Sequence, residues 1–97
     1  MNMQAIMKQA QNMQKDMMKI KNEIDNMEFV GESSLVTVKV NGKKELLEVN
    51  INSDTLENDD IEILQDMLVV AVNQANKKVD DITEQKMSKY GSIPGLF

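Results

Sequence analysis

Eleven lysines carry all the side-chain positive charge of this 97-residue chain; arginine, histidine and cysteine are absent. Lysine is a mobile point charge, suited to a phosphate oxygen and poor at the bidentate fork that reads guanine. Any nucleic-acid contact it makes is therefore expected on phosphates and nearly blind to base sequence. The net charge of -5 argues mildly against such a partner, but the charge is unevenly spread. Residues 1–21 sum to +3 and residues 67–97 to +1, whereas residues 48–66 hold seven acids and no base. The ends of the chain are neutral to basic and the acid sits in the middle.

Little else in the chain can do chemistry. Without His or Cys there is neither the usual general base nor a thiol nucleophile, and no typical zinc site or disulfide framework. Gly42-Lys43-Lys44 lacks the preceding pattern and the terminal Ser/Thr of a P-loop. The acids of 48–66 lack the alternation and central glycine of an EF-hand, and many are explained as the cap and first turn of the next helix. Asp59–Asp60 and Asp80–Asp81 are adjacent acids that point in different directions on a helix. Tyr90 and Phe97 are too few for a base-stacking platform. The expectation is a protein that is not an enzyme and needs neither metal nor cofactor.

The elements that must position the lysines are legible. Ninety-seven residues make one domain with a thin core. Ile61, Leu64, Leu68, Ala71, Ala75, Val79 and Ile82 step by three and four, which predicts a helix over about 59–90. Its middle, Met67-Leu68-Val69-Val70-Ala71-Val72, is apolar on every side; the alternative is a strand at 67–72, but the polar, well-capped flanks favour helix. A helix apolar all round is buried all round, and this short chain has few elements to surround it. We therefore expect a homodimer in which Met67, Leu68, Val69, Val70, Ala71, Val72 and Ala75 lie at the interface, one face on the chain's own sheet and the other on a partner.

Residues 2–28 predict a second long helix, with Met3, Ile6, Ala10, Met13, Met17, Ile20, Ile24 and Met27 as an unbroken heptad seam and Asn2 as its cap. Its C-terminal half is expected to cover the sheet or dock on the last helix. At about 1.5 Å per residue the whole helix outruns a small domain, so its first two or three turns are expected to project. It could equally pair with its copy. Val36, Val38 and Val40 alternate with polar residues as a strand. Asn41-Gly42 then reads as a two-residue type I′ turn that sets Val40 opposite Lys43 and Val36 opposite Leu47, with Leu47, Val49 and Ile51 on the apolar face. Lys39, Lys43 and Lys44 gather near the tip, where lysines guard an edge. Asn58 or Asp59 is expected to cap the last helix, Gly91 to stop it, and 92–97 to form a tail that docks through Leu96-Phe97 or stays disordered. No apolar run approaches the roughly 20 residues of a membrane span and the N-terminus is no secretory signal, so a cytoplasmic protein is the default.

In this order and at this length the pieces resemble the YbaB/EbfC family of bacterial nucleoid-associated proteins. The likeness rests on Met7-Lys8-Gln9-Ala10-Gln11-Asn12-Met13-Gln14, on Val40-Asn41-Gly42-Lys43, on Leu68 to Asn76 (LVVAVNQAN), on Lys86-Met87 and on Pro94-Gly95-Leu96-Phe97. The resemblance implies an α+β fold of order α-β-β-β-α, with a small antiparallel sheet, a first short strand at about 28–31 and a hairpin over 34–51. It also implies an intertwined homodimer with projecting helices, located at the nucleoid, that binds double-stranded DNA with little sequence preference. Carried onto this chain, the DNA-binding candidates are Lys8, Lys15, Lys19 and Lys21 in the first helix and Lys77, Lys78, Lys86 and Lys89 in the last. The residues themselves also support a second reading, a protein partner held on the adaptable Met-rich face of the first helix. A membrane-surface role ranks below both, because the helix is only modestly basic and lacks Trp.

Overall fold

A computed structural model describes residues 2–53 and 56–90, apart from the side chain of Lys89. The elements run α1 (Met3–Asp25), β1 (Glu28–Ser33), β2 (Val36–Asn41), β3 (Leu46–Ile51) and α2 (Ile61–Met87), with short 3-10 turns at Asn58–Asp60 and Ser88–Tyr90. This is the α-β-β-β-α order expected, with one antiparallel sheet of order β1-β2-β3. The expected tail lies outside the described residues.

Asn2 caps α1, its side-chain oxygen accepting the Gln4 N–H at 3.0 Å. The cap of α2 differs from expectation. The Asp60 carboxylate accepts the Glu57 N–H at 3.0 Å, so the first turn is fastened from Glu57 and not by Asn58 or Asp59. The tight 3-10 turn brings the acid one residue further on within reach of that N–H.

The core is one layer of helix on one layer of sheet. Phe29, Val36, Val38 and Val40 meet Ala71, Ala75 and Val79 of α2, and Ile24 closes one end. Gly31 sits in the middle of β1 opposite Val38, so it neither ends nor bends the segment. A methyl group there would strike the Ala71 carbonyl oxygen and lie 2.8 Å from the Ala75 nitrogen. Gly31, Ala71 and Ala75 thus let strand and helix backbones touch, the close approach for which glycine in a strand is used.

The hairpin also departs from expectation. Asn41 and not Val40 closes the loop: its N–H donates to the Glu45 carbonyl at 3.1 Å, and the Lys44 N–H donates to the Asn41 carbonyl at 3.0 Å. Three residues, Gly42 to Lys44, therefore make the turn, and Lys44 takes the left-handed conformation at φ 65°. The Asn41 side-chain oxygen accepts the N–H groups of Lys43 and Glu45 at 2.9 and 3.0 Å, which organises the wider loop. A bulge follows, so Leu46 stands opposite Val40, Val49 opposite Val38 and Ile51 opposite Val36. Gly42 is required for a different reason than a positive φ. The turn lies against the end of α1, and a side chain there would strike the Ile24 carbonyl and lie 2.8 Å from the Asp25 Cα.

The two sheet edges differ. Along β1, Lys78 Nζ donates to the Val30 carbonyl at 2.6 Å and the Glu32 N–H donates to Gln74 Oε1 at 2.7 Å, so α2 side chains cap that edge. Along β3, every residue but Ile51 is exposed. The helix α2 packs over β1 and β2, and leaves Leu46, Leu47 and Val49 uncovered.

The molecule measures 71 × 20 × 15 Å with a radius of gyration of 19.2 Å. A compact chain of this length would have about 13 Å. The excess comes from α1. Residues 2–16 are exposed throughout, and only Met17, Ile20, Ile24 and Asp25 of the helix are at least partly buried. The projecting part is about four turns, more than the two or three expected, because the sheet is one short strand-length deep and α1 is rooted only at its last turns.

Candidate nucleic-acid interface

The lysines separate once their partners are known. Lys21 pairs with Asp25 one turn on at 3.3 Å, and Lys77 pairs with Asp81 at 3.1 Å. Lys78 holds the edge of β1. Lys44 reaches Asp80 at 2.8 Å and so ties the hairpin turn to α2, while Lys39 lies between Glu28 and Glu48. Among the described residues, Lys8, Lys15, Lys19, Lys43 and Lys86 make no ion pair and are exposed. The Lys89 side chain lies outside the described residues.

Three of the free lysines form a line. At 3.6 residues per turn, Lys8, Lys15 and Lys19 fall within about 40° of arc on α1 and span about 16 Å along it. The Met and Ile seam runs down the opposite side of the helix, ending at buried Ile24. Because Ile24 and Ile20 point to the core, the lysine line points directly away from it into solvent.

Asp16, Glu23 and Asp25 are the acids of α1, and the acidic start of α2 lies elsewhere. The root of α1 sits at the hairpin turn, where Ile24, Asp25, Gly42, Lys44, Val79, Asp80 and Thr83 border a cleft of about 220 Å³. The acidic start of α2 sits at the far end of the hairpin, where Asp60, Ile63, Leu64 and Met67 meet Leu35, Ser53 and Leu56. The run of acid read in the sequence is thus held a strand's length from the base of the lysine-bearing arm, and a chain of net charge -5 can present a locally basic helix.

The apolar centre of α2 divides in the same way. Ala71 and Ala75 are fully covered by the chain's own β1, and Met67, Leu68 and Val72 are half-buried against the core. Val69 and Val70 point outward and are exposed, as is Ile63. The sequence offered no signal for Gln74 or for the structural use of Lys78, because both act on a strand more than forty residues earlier. Among the described residues there is no cluster of potential metal-ligating side chains, and no helix is long and apolar enough to cross a membrane.

Comparison with known proteins identifies the family and the fold. The model of the YbaB/EbfC DNA-binding family matches residues 1–93. The chain belongs to that family. It is 45% identical over 102 aligned residues to a nucleoid-associated protein of Clostridium novyi (strain NT), covering 100% of this chain and 90% of the relative. It is 48% identical over 92 residues to a nucleoid-associated protein of Lactococcus lactis subsp. cremoris (strain MG1363), covering 93% of each. The crystal structure of an uncharacterized protein from Helicobacter pylori superposes with a TM-score of 0.76 over 95% of this chain and 99% of that one, at 21% identity. That likeness is one of fold. This YbaB/EbfC member therefore has the α-β-β-β-α architecture and the extended form, both now seen in its own elements.

Proposed function

We propose that this family member is a nucleoid-associated, cytoplasmic protein that grips double-stranded DNA as a homodimer, through phosphates and with little regard for sequence. The observation that carries the reading is the line of Lys8, Lys15 and Lys19, exposed and, among the described residues, free of ion pairs. Lys86 in the last turn of α2 is a further candidate, as is Lys89 in the 3-10 turn that follows. Lys77 is held only by an exposed i,i+4 pair, which is worth little and is readily exchanged for a phosphate, whereas Lys21 pairs with the partly buried Asp25. Lys78 contributes to the fold first.

The homodimer is supported by what the single chain leaves uncovered. Leu46, Leu47 and Val49 of β3 and Val69, Val70 and Ile63 of α2 are all exposed. Asn76 Oδ1, one turn beyond Val72, is buried with no hydrogen-bond partner among the described residues, a state that a partner chain's donor would relieve. A twin chain on this surface would thicken the core and set two α1 arms around one duplex. Gel retardation at low salt tests the reading. A variant with Lys8, Lys15 and Lys19 changed to Glu should lose retention of a duplex that the native protein shifts, and equal retardation of the two would remove α1 from the interface.

A second reading has its own observation. Met3, Ile6, Met7 and Met13 are exposed on the side of α1 away from the lysines. A protein partner with an apolar helix would fit that face, and capture that survives nuclease and high salt, with no DNA retention at low salt, would favour it over the first reading.

A further inference from the structure

The chain has nine methionines and no cysteine, so thioethers are its only sulfur. Their exposure is divided sharply by element. On α1, Met3, Met7, Met13 and Met18 are 68%, 58%, 41% and 61% exposed, and Met17 is half-buried. Beyond α1, Met27 and Met67 are half-buried and Met87 is only 4% exposed. The exposed methionines among the described residues are therefore gathered on the one helix that projects. Met3, Met7 and Met18 share about 60° of its arc; Met3 and Met7 lie away from Lys8, Lys15 and Lys19, while Met18 borders that line beside Lys15 and Lys19.

We propose that Met3, Met7, Met13 and Met18 form a reversible oxidation site for hydroperoxide oxidants. In the forward step the sulfur lone pair attacks the terminal peroxide oxygen, the O–O bond breaks, an S–O bond forms, and the remaining hydroxide takes a proton and leaves as water. The sulfur loses two electrons and the peroxide gains them. In the reverse step two thiols of a methionine sulfoxide reductase become a disulfide and the oxygen departs as water; each sulfoxide epimer needs its own reductase. A projecting helix with no packing on these side chains leaves them open both to the oxidant and to the reductases.

The product is polar but uncharged, so the lysine line keeps its charge while the arm's apolar side becomes hydrophilic. Oxidation on this face would silence apolar contacts of the arm and leave phosphate contacts in place. The chemical part of the proposal does not depend on DNA binding, because it is read from masses alone.

The test exposes the intact folded protein to millimolar hydrogen peroxide and follows each methionine by peptide mass spectrometry. Met3, Met7, Met13 and Met18 should gain oxygen at least about tenfold faster than Met87, and a mixture of both epimer-specific reductases should restore them. Oxidation of Met87 at the same rate, resistance of the α1 methionines, or failure of the reductases to restore them would overturn the site. A variant with all four changed to Leu, each at an exposed position, should gain oxygen on α1 only through the slower reaction of half-buried Met17. If the native protein retains DNA, the oxidised protein should retain it within about twofold at fixed salt, as uncharged changes leave the counterion term intact. A larger loss that the Leu variant does not share would overturn the separation of the two faces. Failure of the native protein to retain DNA would defeat the DNA reading and leave the mass result to decide the oxidation site.

Discussion

Lys78 Nζ donates to the carbonyl oxygen of Val30 at 2.6 Å, across forty-eight residues of chain. The ammonium of α2 thereby closes an acceptor on the free edge of β1. One residue pair along, Gln74 performs the complementary task by accepting the Glu32 N–H. A three-stranded sheet has two edges, and unpaired edges invite association with other strands. Here one edge is closed by the chain's own helix, and β3 is the edge left with exposed apolar side chains. The asymmetry leaves one side of the molecule finished and the other open to a twin.

Replacing Lys78 by Met should therefore act on stability more than on DNA. The loss of one hydrogen bond to a strand edge is expected to cost about 1 kcal/mol, read from chemical denaturation. Retention of DNA by the folded variant should fall less than for Lys15→Met, although both remove one charge. The reverse order would move Lys78 into the nucleic-acid interface.

Gly42 is held by the approach of α1 and not by its own backbone dihedral. Gly42→Ala should lower stability by about 1–3 kcal/mol, the range for forcing a methyl group into a packed position. The damage should appear as loosening of the α1 root, seen in faster hydrogen exchange at Ile20 to Asp25. Asn41→Ala at the neighbouring position should act on the hairpin instead, because it removes the acceptor for the Lys43 and Glu45 N–H groups.

Placing charge on the open side should separate the proposed dimer. Val70→Asp and Val49→Lys alter exposed side chains, so each single chain should still fold. Sedimentation at micromolar concentration should show the native protein as a dimer and these variants shifted to monomer. Burying an unpaired charge in an apolar contact is costly enough to dissociate a small interface. Variants that remain dimeric would place the twin elsewhere.

Much of the architecture could be read along the chain because it is local. The three- and four-residue steps from Ile61 to Ile82 describe α2, and the alternation of Val36, Val38 and Val40 describes the face that packs beneath it. What was not legible depends on distant backbone. Nothing near Gly31 in the chain shows that Ala71 and Ala75 lie on it. Asn41-Gly42 reads as a tight turn because those residues favour positive φ, yet the glycine is there for Ile24 and the left-handed residue is Lys44. The register consequently slips at the bulge: Leu46 takes the place opposite Val40 expected of Lys43, and Ile51 the place opposite Val36 expected of Leu47. Among the lysines, the i,i+4 spacing of Lys21 with Asp25 and of Lys77 with Asp81 can be read along the chain, whereas the hold of Lys78 on Val30 cannot.

The central claim is that two α1 arms hold DNA by their lysine lines, and the salt dependence of duplex affinity tests it most directly. Three phosphates neutralised by each of two arms predict a slope of about -5 in a plot of log affinity against log salt concentration. With Lys8, Lys15 and Lys19 all changed to Gln, the slope should fall by nearly that amount and binding should all but vanish at moderate salt. An unchanged slope in that variant would contradict the account.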